Sequence, residues 1–558
     1  MKKKSFKLFT IFLALVLVLG ACSPSKPAES GGEAPAEKTS AKHVEHLIIG
    51  TTGENNVFNM QTQKDAFGKM NYNGFTQGNF VYIDENKQLK PYFFKSFEVS
   101  EDGKQLVFTF PKTAVWHDGK PVTDEDILFT FDYMKNVKKV GSLNNLEKWE
   151  ITGDGECTLT FSEPDAYYWL NTSALNTACV YPKHIWEGVE NYEEYAEENA
   201  SVGCGPYKLV SVDKDAQSAV YEAVPENNFL GDITVDKVTV QCYSGEDTLM
   251  LAMMNGEIDA MYAYANPIDA TIMETVFDVE GIDPGESDYA GHFQITYGME
   301  RKPAEDINFR KAVRLALDYD KLSTVINGGY GTAPGAGIIA PSCNGFDSSI
   351  PKLATDLEAA KKILDDAGYV DKDGDGFREY PDGSPMDVMV TPQFSKKPEL
   401  LNRIADTVMA SLKEIGIKNH IDEDSMRNAE VWEKNIMDGK YDIFIGYTTS
   451  GMANYTSAFR YFLADPRFEG EQTWIWGTYH NDEFKDTFFK MQQATNNEVY
   501  VENVKKLQKM AEEVAFAQSL CWEKSFFPYR TDKYEGWKNI ASWGVIHPET
   551  WFNLKPIA

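Results

Sequence analysis

Long apolar runs, clustered cysteines and positive charge are all scarce in this sequence, and each shortage closes off a class of function. The uncharged apolar run from Leu8 to Gly20 has thirteen residues, short of the ~20 that a membrane-spanning helix needs, and no later segment approaches that length. Seven cysteines occur in 558 residues, none in a Cys-x-x-Cys pair. Cys157, Cys179, Cys204, Cys242, Cys343 and Cys521 therefore do not read as a metal cluster; disulfides or unpaired buried thiols both fit their scatter. Lysine and arginine total 54 against 85 acids, a formal charge of −31, which keeps a chain soluble and argues against nucleic acid as a partner. There is no His-Glu-x-x-His helix and no Gly-x-Ser-x-Gly elbow, and the glycine-rich stretch 327–337 lacks the Lys-Ser/Thr of a phosphate loop. His117, His184, His292, His420, His480 and His547 are isolated, while His43 and His46 share a helical spacing with no third ligand.

What is present begins at the N-terminus. Lys2, Lys3, Lys4 and Lys7 precede the thirteen-residue apolar run, as in an export signal. Leu19-Gly20-Ala21-Cys22 then matches a bacterial lipobox, so residues 1–22 read as a lipoprotein signal peptide and Cys22 as the lipidated new N-terminus. Residues 23–42 hold only small, polar, proline and glycine residues and read as a flexible tether. One diacylated cysteine would hold the body at the outer face of the cell membrane. Losing residues 1–22 removes four lysines and no acid, leaving −35 on the remainder.

The body exceeds what one core supports and should divide into domains. Residues 45–58 give a short apolar strand and a Gly/Asn loop; 94–110 is a hairpin about Asp102-Gly103, with Leu106, Phe108 and Phe110 on one face. Residues 157–164 make another strand, and 246–262 a helix stopped at Gly256 before a short strand. Helical patterns follow at 306–322 (Phe309, Val313 and Leu317 on one face), 355–369 and 399–417, then a buried strand at 440–448. The pattern is mixed α/β.

In "VWHDGKPVTDEDILFTFDYM" (115–134), Asp118-Gly119 supplies a turn, Thr123 and Asp126 form a capping box, and Ile127, Phe131 and Met134 line one helix face. This stretch, "GCGPYKL" (203–209), "NGEIDAMY" (255–262), "FRKAVRLALDYDKL" (309–322), "AAKKILDDAGYVDKDGDGF" (359–377) and "YDIFIGY" (441–447) follow one another as landmarks do in the family 5 extracellular solute-binding proteins, the receptors of peptide, nickel and related ABC importers. The chain resembles that family over essentially its whole length, with Cys204 where threonine is usual.

The resemblance implies a two-lobed periplasmic-binding-protein fold of the large type II variant, with a ligand cleft between lobes and an extra small domain. By similarity, 43–78, 199–292 and 521–558 would form lobe I, 79–198 the domain inserted in it, and 293–520 lobe II. It also implies a monomeric receptor without a cofactor, delivering its solute to ABC permease and ATPase subunits. In peptide-binding members an aspartate follows the strand at 441–447 and pairs with the peptide's α-ammonium group. Here Ser450 falls near that place, and no carboxylate occurs between Asp442 and Asp465. Either another acid supplies the charge, or the ligand has no free amine there.

Tyr447, Thr448, Thr449, Ser450 and Asn454 suit a neutral ligand rich in hydroxyl or amide groups, and Tyr455 accompanies them. Trp474 and Trp476 would face one way in a strand and could hold a sugar ring or an apolar side chain; the alternative places both in the core. Asn55, with Asn56, lies in the loop after the first strand, where open α/β sheets often bind ligands. A peptide-like solute is expected, with an oligosaccharide as the alternative; a lipid-anchored hydrolase or a peptide sensor without transport is the rival class. Asp371, Asp373, Asp375, Gly376 and Glu379 fall at EF-hand positions, but Asp382 replaces the closing glutamate and Pro381 breaks the exit, so the loop reads first as a turn, with a calcium ion held by Asp371, Asp373 and Asp375 as the alternative.

Overall fold

The computed structural model describes residues 43–52, 59, 74–173, 178–262, 267–335, 338–395, 398–449, 459 and 479–557. Lys42–Ala558 form one compact unit. The chain opens with Leu47–Thr52 (β1), where Leu47 and Ile49 are fully buried. It then leaves that sheet to build an antiparallel four-stranded one from Ser96–Val99 (β2), Gln105–Thr109 (β3), Leu146–Gly153 (β4) and Glu156–Phe161 (β5), in the order β2-β3-β5-β4. Gly103 turns the hairpin at φ 70°, and Leu106, Phe108 and Phe110 enter one aromatic-rich core. Asp124–Asp132 (α1) covers that core through Ile127 and Phe131, and Met134 follows in the next turn. Its start carries the anticipated capping box: the Asp126 N–H donates to Thr123 Oγ1, and the Thr123 N–H donates back to the Asp126 carboxylate at 2.8 Å.

The chain returns as Tyr207–Asp213 (β6), Ser218–Ala223 (β7) and Lys237–Tyr243 (β8), then the helix Glu246–Met254 (α2) and the short strand Ala260–Met261 (β9). Gly256 takes φ 74° just past the helix, as its stop position requires. Ile282–Asp283 (β10), Ser287–Asp288 (β11) and Gly291–Tyr297 (β12) lead into the second half, where Ile307–Ala316 (α3) and Tyr319–Asn327 (α4) are two helices rather than one. Leu317 is extended and Asp318 caps α4 by accepting from the Lys321 N–H at 2.9 Å, so the periodicity across 309–322 spans a break.

Leu357–Asp366 (α5), Val388–Pro392 (β13), Glu399–Glu414 (α6), Asn419–Ile421 (β14), Ile443–Thr449 (β15), Asp482–Gln492 (α7), Asn497–Val514 (α8) and Ala517–Ser519 (β16) follow. The chain then runs back as Lys524–Ser525 (β17) and Tyr529–Arg530 (β18). The first large sheet has the order β10-β18-β9-β1-β8-β7-β6 and the second β14-β13-β15-β12-β16. The short antiparallel ribbon β11–β17 lies on both chain segments that connect them. Each sheet has its own buried core, and the four-stranded domain has another. The six cysteines of the body are all buried, and none forms a disulfide among the described residues.

The motif stretches meet in space. The Gly203 N–H donates to His117 Nδ1 (3.2 Å), so Nε2 carries the proton and donates to the Gly205 carbonyl (3.1 Å). Asn227 joins Val115 to Gly205 through its side-chain amide. "HDG" and "GCG" are thus two sides of one junction between the four-stranded domain and the first sheet.

Candidate functional site

In an open α/β sheet, ligands bind beyond the carboxyl ends of the parallel strands. In the second sheet β14, β13, β15 and β16 run in one direction while β12 alone runs against them. The binding edge is therefore formed by the end of β15, the beginning of β12 and the exit from β16, beside both chain crossings. Asp442 fixes this arrangement from the opposite end. Its carboxylate accepts from Arg301 Nε and from the Met389 N–H, both at 2.9 Å, and its role is structural.

β12 has two unlike faces, because side chains alternate along a strand. Phe293, Ile295 and Tyr297 enter the core beneath α3 and α6. His292 and Gln294 point the other way and are fully buried, yet among the described residues both ring nitrogens of His292 and both amide atoms of Gln294 have no hydrogen-bond partner. The Ala290 carbonyl and the Gln294 side chain lie near enough to favour a charged imidazole, but neither meets hydrogen-bond geometry, and burial dominates, pushing the His292 pKa down to about 4. Its ring stands edge-on to Trp522 at 5.1 Å, and the Trp522 indole N–H is unpartnered too. Buried polar groups in native proteins are nearly always satisfied, each orphan costing about 1–3 kcal/mol. A run of them at a strand end is a surface made to hydrogen-bond something else.

The core-side face carries a second group. Tyr447 on β15 stands opposite Phe293, ring to ring at 4.9 Å. A Cβ on Gly291 would lie 2.0 Å from the Tyr447 hydroxyl and 2.8 Å from Tyr289 Cε1, so glycine here makes room for two tyrosines. The Tyr447 hydroxyl is hydrogen-bonded to Tyr289, and burial drives its pKa well above the usual phenol value. Glu523, on the second crossing, lies within electrostatic reach of Tyr447. Burial raises its pKa to about 8, opposed by the nearby Phe293 N–H, and its Oε1 is covered and unpartnered. Gly291→Ala should lower stability by about 1–3 kcal/mol through this overpacking, read as a reduced urea midpoint with an unchanged slope.

Of the residues singled out from sequence, Tyr447 is half-buried in this group. Thr448 is buried opposite His292, and Thr449 pairs with Gly291 in the strand register. Asn55, Ser450, Asn454, Trp474, Trp476 and Cys22 lie outside the described residues. Asp371, Asp373, Asp375 and Glu379 do gather, with one carboxylate oxygen of each within 4.8 Å of the others. Those carboxylates accept from the loop's own backbone N–H groups at 372, 374, 375, 376 and 377, and Asp382 turns to Ser384 and Lys302. His43 and His46 diverge to Asp236 and Thr239. Sequence reasoning missed His292, Gln294, Trp522 and Glu523. The available signal was "GHFQITY" (291–297), whose alternating polar and aromatic residues describe a strand with a second, polar face.

The family model for bacterial extracellular solute-binding proteins, family 5 (middle), matches residues 88–469. The oligopeptide-binding protein AppA of Bacillus subtilis is 25% identical over 432 residues, 75% of this chain and 76% of its own. The heme-binding protein A of Haemophilus influenzae is 22% identical over 444 residues, 73% and 75% of the two chains. Among solved structures, the periplasmic oligopeptide-binding protein of an oligopeptide ABC transporter from Thermotoga maritima superposes with a TM-score of 0.72 at 21% identity, covering 92% of this chain and 99% of its own. HbpA2 of Haemophilus parasuis gives 0.76 at 15% identity, covering 92% and 100%. The fold is that of the two-lobed periplasmic binding proteins, mixed α/β with several separate sheets. With the match spanning well over half of its length, the chain belongs to the bacterial extracellular solute-binding proteins of family 5.

Proposed function

We propose that this solute-binding protein captures peptides outside the cytoplasm and delivers them to the permease and ATPase subunits of an ABC importer. The carrying observation is the row of buried, unpartnered hydrogen-bonding groups at the edge of the second sheet, His292, Gln294 and the Trp522 N–H, beside the two crossings. Neutral donors and acceptors in alternation suit the amide backbone of a peptide. The oligopeptide-binding relatives in Bacillus and Thermotoga support the same class. In this reading 43–78, 199–292 and 521–558 form one lobe, 79–198 the domain inserted in it, and 293–520 the other lobe. The β11–β17 ribbon is the hinge, and closure excludes water from the polar row and strengthens each contact there. Tyr447, Thr448, Thr449, Ser450, Asn454, Asn55, Trp474 and Trp476 would complete the ligand surface. Cys22 would carry the lipid that tethers a monomer to the membrane through residues 23–42. Among the described residues no helix is long and apolar enough to cross a membrane. Such a protein binds its solute unchanged and is not an enzyme.

The test is thermal unfolding of the chain lacking residues 1–22 with pools of tri- to pentapeptides and, separately, oligosaccharides. A ligand at a hundred times its dissociation constant adds about 2.7 kcal/mol to native stability, so binding peptides should raise the midpoint by several degrees. A rise with sugars alone would replace the peptide by a carbohydrate; turnover of any added compound would contradict a pure receptor.

A further inference from the structure

Glu523, on the second crossing, lies within electrostatic reach of Tyr447 near the end of β15, and neither the fold nor the polar row explains it. The Phe293 N–H, which shares its edge of β12 with the carbonyl that accepts from Leu520, lies near enough to its carboxyl to favour the charged form. One carboxyl oxygen, Oε1, is covered and has no partner, although the residue as a whole is partly exposed. No ion pair reaches it among the described residues: Lys524, next in the chain, is held by Asp288 at 2.8 Å and Glu286 at 3.5 Å. The groups that face the carboxyl from packed elements are the Tyr447 hydroxyl from β15, with Tyr289 bonded to it, and the Cys521 thiol of its own segment. Tyr289 lies directly across the crossing, its N–H donating to the Glu523 carbonyl at 3.0 Å. From 443 to 464 the continuation of β15 contains no Asp or Glu.

A carboxyl with a covered oxygen that lacks a partner, no ion pair among the described residues and the Tyr447 phenol within electrostatic reach has the makeup of an ammonium site. The ammonium charge takes the unpartnered oxygen in a charge-assisted hydrogen bond once the ligand displaces what covers it. We propose that Glu523 Oε1, with Tyr289 and Tyr447, binds a primary ammonium group of the ligand at the root of the ribbon. This rests on the reading of the chain as a peptide receptor. The chemistry is shared by a peptide's N-terminus and by a lysine side chain. An unliganded Glu523 holds its proton, because burial without a counter-charge disfavours the carboxylate; an arriving ammonium reverses that and expels the proton.

The experiment is titration calorimetry and thermal unfolding of the chain lacking residues 1–22, using a lysine-free tri- to pentapeptide pool, the same pool N-acetylated, and an N-acetylated pool containing lysine. The free pool should bind about tenfold or more tighter than the acetylated lysine-free pool, and Glu523→Gln should erase that difference while still binding the acetylated pool. Recovery by the acetylated lysine pool would assign the site to the side-chain amine, and failure to recover to the N-terminus; either agrees with an ammonium site. Because the variant could fold poorly, wild-type protein supplies a second reading: at pH 7 binding of the free pool should release up to one proton, seen as a dependence of the heat on buffer ionisation. Equal binding of free and acetylated lysine-free pools, with no proton release, would overturn the ammonium site and leave the peptide receptor standing. Absence of binding by all three pools would overturn the receptor reading and the site together.

Discussion

Gly203→Ala should lower the stability of the protein by about 3 kcal/mol or more, near the upper end of overpacking costs. A Cβ there would lie 2.0 Å from the Thr76 carbonyl oxygen, 2.1 Å from Gln77 Nε2 and 2.7 Å from Gln77 Cδ. Gln77 is itself buried, and its amide donates to that same carbonyl at 2.9 Å, so neither neighbour can withdraw without losing a bond. The backbone at 203 is also held from its other side, where its N–H meets His117 Nδ1 and its carbonyl accepts from the His117 N–H at 2.9 Å. Moving this loop to admit one methyl group would therefore open the junction of the four-stranded domain with the first sheet. Gly119→Ala is the control. It has nothing within 4 Å of a new Cβ, and only its φ of 84° resists, a penalty of about 1–2 kcal/mol. Urea midpoints should fall much further for the first than for the second; equal shifts would show that the loop relaxes freely.

That junction also marks how far the sequence can be read. Short-range chemistry was legible: the Gly103 turn, the Thr123/Asp126 box and the Gly256 stop depend on residues within a few positions of one another. The registers that make the candidate site are not local. His117 and Gly203 are 86 residues apart, His292 faces Thr448 in the strand register, and the Tyr289 N–H meets the Glu523 carbonyl from the other crossing. Nothing near Glu523 in the chain announces a buried acid. Lys524 follows it, and only the folded ribbon gives that lysine to Asp288 and Glu286 and leaves Glu523 without a cation. β12 escaped notice for a related reason. All seven of its residues are buried, so its polar positions are not solvent-facing, and their meaning comes from partners far along the chain. The break at Leu317 fails differently, since an apolar period continues through it while Asp318 starts a new helix.

Stability should peak near pH 6.5 and fall steeply toward pH 4. His292 and His547 are buried and His117 is half-buried, and desolvation pushes each pKa down to about 4. In the unfolded chain a histidine titrates near 6.5. Between those values the unfolded state binds protons that the native state refuses, so native stability declines as pH falls, by about 1.4 kcal/mol per unit for each group. Hydrogen bonding sharpens the refusal at two of them. His117 and His547 each accept a backbone N–H on Nδ1, from Gly203 and Glu549, while Nε2 faces a carbonyl, so protonation at Nδ1 must break a native contact. Glu523 has the opposite sign. It keeps its proton up to about pH 8, whereas an unfolded glutamate loses it near 4.5, so native stability declines as pH rises between those values. From 4.5 to 6.5 three histidines outweigh one glutamate and stability rises with pH; above 6.5 Glu523 acts alone and the slope turns gently downward. Urea midpoints of the ligand-free protein at pH 4.5, 5.5, 6.5 and 8 should trace that asymmetric dome, and Glu523→Gln should flatten its alkaline limb and steepen its acid one. A profile level from 6.5 down to 4.5 would mean that the imidazoles gain water or counter-charges in the native state, and the polar row at His292 would then be open rather than sealed.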